Sequence, residues 1–193
     1  LLSVTNAIAA PVGTSTLNID GGTFTLTANS MAVTNFNIGN SSGSNVTYTQ
    51  TGGTYKAITA FSVGNLASSS GTYTLSGGVL TAPTEYIGAS GTGTFTQSGG
   101  TNIATTLGIG TAASGSGTYT LSGGLLSVTN AIAASPGTST LNIDGGTFTL
   151  TANSMDVDNF NIGNYSGSAG TYTQTAGTYK ATTFSVGNLA SSS

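Results

Sequence analysis

The sequence predicts an all-β fold, a parallel β-solenoid, and three observations carry the prediction. Short runs alternate apolar and small polar residues with a period of two, the signature of half-buried strands. Gly-Gly and apolar-x-apolar-Gly punctuate those runs, as tight turns needing positive φ would. One octapeptide pattern recurs seven times, which a packed β-sandwich gives no reason to expect.

Each element follows from the repeat. Its clearest form is Gly71-Thr72-Tyr73-Thr74-Leu75-Ser76-Gly77-Gly78, and related octapeptides start at 15, 46, 93, 117, 139 and 170. The first strand of a unit places Leu17, Tyr48, Tyr73, Phe95, Tyr119, Leu141 or Tyr172 at its centre, and these are expected to stack as one inward ladder. After Gly-Gly a second alternating run follows, such as Leu125-Leu126-Ser127-Val128-Thr129. A third ends in apolar-x-apolar-Gly, as in Phe36-Asn37-Ile38-Gly39, Phe61-Ser62-Val63-Gly64 and Leu107-Gly108-Ile109-Gly110. Three strands per coil of 22–25 residues give seven to eight coils. At about 4.8 Å per coil the rod is on the order of 35 Å long. The preference of parallel crossovers predicts a right-handed coil. Two units are 31 residues long, and their extra residues, near 27–34 and 151–158, are expected to bulge as loops from one corner.

A longer repeat contains the shorter one. Residues 1–70 return as 125–193 with one deletion and 60 identities in 69 aligned positions, a cassette of 124 residues. The chain is therefore expected to be a single solenoid segment, 1–193, of a longer repetitive polypeptide, since it opens at Leu1 in mid-pattern. No leader segment is recognisable. No apolar run reaches the roughly 20 residues of a membrane helix, so membrane insertion is not expected.

Composition narrows function. Gly, Ser and Thr make up 93 of 193 residues, charged residues 4%, and the net charge is −3. With no His and no Cys, the chain cannot build a Ser-His-Asp or Cys-His site, nor zinc or haem ligation through those residues. Two lysines and no arginine cannot displace the counterions of a nucleic acid. The fixed apolar pattern argues against a disordered linker despite the Gly/Ser/Thr content.

The run from Gly71 to Gly78, with Glu85-Tyr-Ile-Gly-Ala-Ser-Gly-Thr-Gly-Thr-Phe-Thr-Gln-Ser-Gly-Gly-Thr-Asn102, resembles the β-strand repeats of large bacterial surface proteins of the autotransporter-associated and PEP-CTERM type. The resemblance spans essentially the whole chain. It implies export, a long parallel β-solenoid and a surface or matrix role, and it brings no catalytic motif.

Few residues suggest chemistry. The carboxylates are Asp20, Glu85, Asp144, Asp156 and Asp158. Asp20 and Asp144 are cassette equivalents about five coils apart, too far for the paired acids of glycoside hydrolysis. Asp156 and Asp158 form the one close pair and the one candidate calcium site. Their equivalents, Ala32 and Thr34, show that the cassette does not require them. Lys56 and Lys180 sit at equivalent outward positions, the only bases a lyase could recruit. No catalytic residue, cofactor or firm metal site is expected.

The sharper candidate is a Thr-x-Thr face: Thr47/Thr49, Thr72/Thr74, Thr94/Thr96, Thr118/Thr120 and Thr171/Thr173. On a flat face these form two columns spaced about 6.7 Å along each strand and about 4.8 Å between coils, a grid suited to ice or to surface glycans. The plainer reading is that β-branched Thr suits strands. Gln50, Gln97 and Gln174 occupy positions that Leu75, Leu121 and Ile143 hold elsewhere, and inward amides need partners. Asn40, Asn45 and Asn164 open N-x-Ser/Thr sequons of the kind a composition this rich in Ser and Thr produces by chance. The expected function is a structural fibre, stalk or matrix element, extracellular or at the cell surface and self-associating. The alternative is an adhesin or ice-binding module.

Overall fold

The structure, a computed structural model, describes residues 8–9, 14–26, 30–133, 136–151, 154–165 and 167–187. Among the described residues fifteen strands join one parallel sheet. The first half of the chain supplies β1 (Ile8–Ala9), β2 (Thr16–Ile19), β3 (Gly21–Leu26), β4 (Ser30–Ile38), β5 (Asn45–Gln50), β6 (Thr54–Val63), β7 (Ser70–Leu75) and β8 (Val79–Ile87). The second half supplies β9 (Thr92–Gln97), β10 (Thr101–Ile109), β11 (Ser116–Ala133), β12 (Thr138–Leu150), β13 (Ser154–Ile162), β14 (Thr171–Gln174) and β15 (Thr178–Val186). The long strands turn corners within themselves, with register irregularities near Thr34, Ile58 and Thr105.

The pairings sort into three ladders, the faces of a solenoid of about seven turns. The first face stacks the starts of β4, β6, β8 and β10 with mid-β11, the end of β12, and β14. The second stacks β2, the ends of β4, β6, β8, β10 and β11, and the starts of β13 and β15. The third stacks β3, β5, β7, β9, the starts of β11 and β12, and the ends of β13 and β15.

The inward side chains follow the strand alternation. On the third face Phe24, Tyr48, Tyr73, Phe95 and Tyr119 stack with neighbouring centroids 4.5–5.1 Å apart. Phe36, Phe61 and Leu107 fill the core from the second face, and Met31, Tyr55, Leu80 and Leu126 from the first. Corners need glycine. Gly88 has φ +71, and a Cβ there would stand 2.1 Å from the carbonyl oxygen of Ser116 in the next coil. The Gly88 N–H meanwhile continues the inter-coil ladder by donating to the Val63 carbonyl at 2.7 Å.

Two expectations change. The extra residues of the 31-residue units do not bulge: 30–34 and 154–158 are strand, in β4 and β13, while 27–29 and 152–153 lie outside the described residues. The cause is a short coil. Thr16 pairs with Asn35 on the second face and Thr140 with Asn159 on the third, 19 residues on, against 22–25 elsewhere on these faces. Those coils lack the loop that elsewhere carries the chain from the second face to the third, such as 39–44 or 64–69; a single residue, Asp20 in the first copy and Asp158 in the second, makes that corner instead. The 31 residues therefore span one and a third turns.

The single inward ladder changes for the same reason. Tyr48, Tyr73, Phe95, Tyr119 and Leu141 are register neighbours on the third face. Leu17 instead pairs with Phe36 on the second face, and Tyr172 with Phe148 on the first. Phe24 and Phe160 take the places assigned to them. The cassette thus advances five and a third turns, and its second copy lies one face further round than its first.

Local geometry travels with the sequence. Asn37 donates to Asn18 at 2.9 Å on the second face, and Asn161 donates to Asn142 at 2.8 Å on the third. Ser15 and Thr34 exchange backbone-to-side-chain hydrogen bonds at 3.0 and 3.1 Å, as Ser139 and Asp158 do at 2.8 Å.

Candidate functional site

The threonine grid forms on the third face, where strand alternation points every second side chain outward. Thr47, Thr72, Thr94 and Thr118 are register partners in one column, and Thr49, Thr74, Thr96 and Thr120 in the other. Thr23 and Thr25 extend both columns by one coil, and Thr140 extends the first. Thr171 and Thr173 do not belong to this face: they pair with Thr147 and Thr149 on the first. Sequence reasoning missed Thr23 and Thr25 because it aligned residues 15–22 with the other octapeptides. The 24-residue step from Thr23-Phe24-Thr25 to Thr47-Tyr48-Thr49 was the available signal. Beyond Thr120 the grid changes to Asn142 and Asn161.

The carboxylates are spent on structure. Asp20 accepts from the Asn40 N–H at 2.6 Å and from the Ser41 hydroxyl at 2.9 Å, tying its corner to the next coil's loop. Asp144 repeats the first contact with Asn164 at 3.4 Å, one corner further round, and partial burial raises its pKa. The calcium pair is divided: Asp156 faces Lys180 at 2.8 Å, while Asp158 accepts from the Ser139 N–H and hydroxyl. Among the described residues no group of three or more His, Cys, Asp or Glu side chains could hold a metal ion. A shallow groove at one corner is lined by Ala67, Ser and Thr side chains and Gly91, with no charged or aromatic group to orient a substrate.

The inward glutamines have a common arrangement. Tyr73 Oη donates to Gln50 Oε1, Tyr119 Oη to Gln97 Oε1 at 2.5 Å, and Tyr172 Oη to Gln174 Oε1 at 2.6 Å. Each amide nitrogen then donates to carbonyls of the Gly-Gly corner or of the following run: Gln50 to Gly52 and Val79, Gln97 to Gly100 and Leu125, Gln174 to Ala176. Gln is thus an internal corner brace that satisfies the tyrosine hydroxyl beside it.

One polar group in the core was passed over. Glu85 is fully buried on the second face, between Phe61 and Leu107 in register, and hydrogen-bonded to Asn102. A signal existed: Glu85-Tyr86-Ile87-Gly88 aligns with Phe61-Ser62-Val63-Gly64, which puts a carboxyl in an aromatic place. Burial pushes its pKa up to about 8 against the Asn102 hydrogen bond, which lowers it. The sequence matches no protein-family model, no curated protein and no solved structure.

Proposed function

We propose that the chain is a structural element of an extracellular or cell-surface fibre, stalk or matrix, and not an enzyme. The observation that supports this reading is the unbroken run of three parallel ladders through every described coil, closed over one aromatic and aliphatic core. No coil buries its apolar side alone, so stiffness comes from stacking. A coil edge can pair with a further coil of the same chain or of another copy, the basis proposed for self-association. The resemblance to bacterial surface repeat proteins points the same way and rests on the repeated motifs alone.

Electron microscopy of the native, full-length protein tests this reading. Continuous filaments with a layer spacing of about 4.8 Å are expected. Discrete rods that stay monomeric at high concentration would overturn it.

A second reading, a ligand face, is favoured by the register of the threonines across five consecutive coils. It takes ice or a surface glycan as partner. A T74K/T96K double variant, tested for thermal hysteresis and glycan retention, should lose activity that the native protein shows. Native protein inactive in both assays removes this reading.

A further inference from the structure

Glu85 is the only fully buried carboxyl group among the described residues, and its surroundings can be audited hydrogen by hydrogen. Asn102 reaches it from the first face, where it stands between Leu80 and Leu126. The Asn102 Nδ2 group donates to Glu85 Oε2 at 2.9 Å and to Tyr119 Oη at 3.1 Å, which uses both its hydrogens. Tyr119 Oη donates its own hydrogen to Gln97 Oε1 at 2.5 Å. Gln97 Nε2 donates onward to the carbonyls of Leu125 and Gly100. Every polar side-chain hydrogen of this Asn102–Tyr119–Gln97 network is placed, and two of its buried acceptors remain without a partner: Glu85 Oε1 and Asn102 Oδ1.

An ionised Glu85 would leave both oxygens bare in the core, each at a desolvation cost. A calcium ion needs six or more oxygens, and among the described residues no cluster of acidic side chains adds to this pair. One proton on Glu85 Oε1 answers both atoms, since it makes Glu85 the donor that Asn102 Oδ1 lacks. We propose that Glu85 is held as a neutral carboxylic acid in a cyclic pair with Asn102, Oε1–H donating to Oδ1 and Nδ2–H donating back to Oε2, and that this proton site makes the middle coils a pH-sensitive joint of the rod.

The other groups facing the site agree. The titratable ones are Tyr73 and Tyr119 on the third face, both raised by burial and therefore neutral. Phe61 and Leu107 pack above and below on the second face, and Leu80 and Leu126 flank Asn102 on the first. Both lysines are exposed on the outside of the rod. Among the described residues no cation is placed to compensate an ionised Glu85.

The sign follows from linkage. Between the ordinary value of 4.5 and about 8, the folded chain keeps a proton that the unfolded chain releases. Stability is therefore greatest below that window, falls as pH rises through it, and levels off above it. Glu85→Gln supplies an N–H in place of the acid proton and keeps the ring of hydrogen bonds without titrating.

The experiment is thermal unfolding of the native chain and of E85Q across pH 4.5–9, with infrared spectra of both. We expect the melting temperature of the native chain to fall several degrees relative to E85Q as pH rises through the window. A protonated-carboxyl band should persist in the native chain at about pH 6, where exposed carboxyls are ionised, and be missing in E85Q. Parallel melting profiles, or no such band at that pH, would overturn the proposal. If E85Q does not fold, the band in the native chain decides, by its presence near pH 6 and its loss by about pH 9.

Discussion

Lys56 and Lys180 stand at the same point of the 124-residue cassette, yet they project from different faces of the rod. Lys56 is the register partner of Ala32 and Thr81 on the first face, whereas Lys180 pairs with Asp156 on the second. Five and a third turns separate them, because the one short coil between them, from Thr140 to Asn159, advances the chain to its next face early. In an array of such cassettes any surface feature would wind around the rod and return to its starting face after three copies. An array of identical faces would need a cassette of whole turns.

That geometry predicts the outcome of labelling. These two lysines are the only ones in the chain, so an amine-reactive gold or fluorescent label marks both. Electron microscopy or distance measurement should find the two labels offset by a third of a turn about the rod axis. Labels in line along one face would contradict the ladder assignment.

The corner glycines should be unequal. A Cβ on Gly93 would lie 2.1 Å from the backbone nitrogen of Gly88, and no rigid backbone can yield that far. Gly93→Ala should cost about 2–3 kcal/mol, the upper range for overpacking. Gly21 meets nothing within 4 Å and lacks positive φ, so Gly21→Ala should leave stability nearly unchanged. Chemical denaturation of both variants measures the difference.

The Tyr119–Gln97 brace should show coupling. Tyr119→Phe strands Gln97 Oε1 and one hydrogen of Asn102 in the core, a loss of about 1–3 kcal/mol. Gln97→Leu restores the aliphatic residue that Leu75 and Leu121 provide one coil either side. The double variant should therefore recover part of the single Tyr119→Phe loss. Additive losses in a double-mutant cycle would show that the hydrogen bond carries little.

The Lys180–Asp156 pair should matter little. Lys180 is 76% exposed, where ion pairs are screened and their side chains mobile. Lys180→Ala should change stability by less than about 0.5 kcal/mol, and added salt should shrink even that. A larger loss in thermal unfolding would point to a contact beyond the ion pair.

Much of the coil was legible in the residues. Tyr73-Thr74-Leu75 alternates inward and outward as read, and the glycines of Gly-Gly and apolar-x-apolar-Gly do take positive φ at Gly78 and Gly88. The threonine grid was legible in part: eight of the ten threonines share the third face, and Thr171 and Thr173 do not. The partners of Gln50 and Gln97 were not legible, because Tyr73 and Tyr119 reach them from the next coil, more than twenty residues on. Glu85 was readable only as an anomaly in a motif; its meaning depends on Asn102 arriving from another face.

The sequence alone determined what recurs locally: strand alternation, glycine corners, three strands to a coil and parallel stacking of like on like. These follow from sterics and apolar periodicity within a few residues. Only the tertiary structure decided which face each segment joins. Any inward-alternating run fits any of the three faces, since each offers the same backbone edge and an apolar interior. The choice falls to the number of residues between one coil and the next. A 19-residue coil, turned at Asp20 in one copy and at Asp158 in the other, carries the same sequence to a new face.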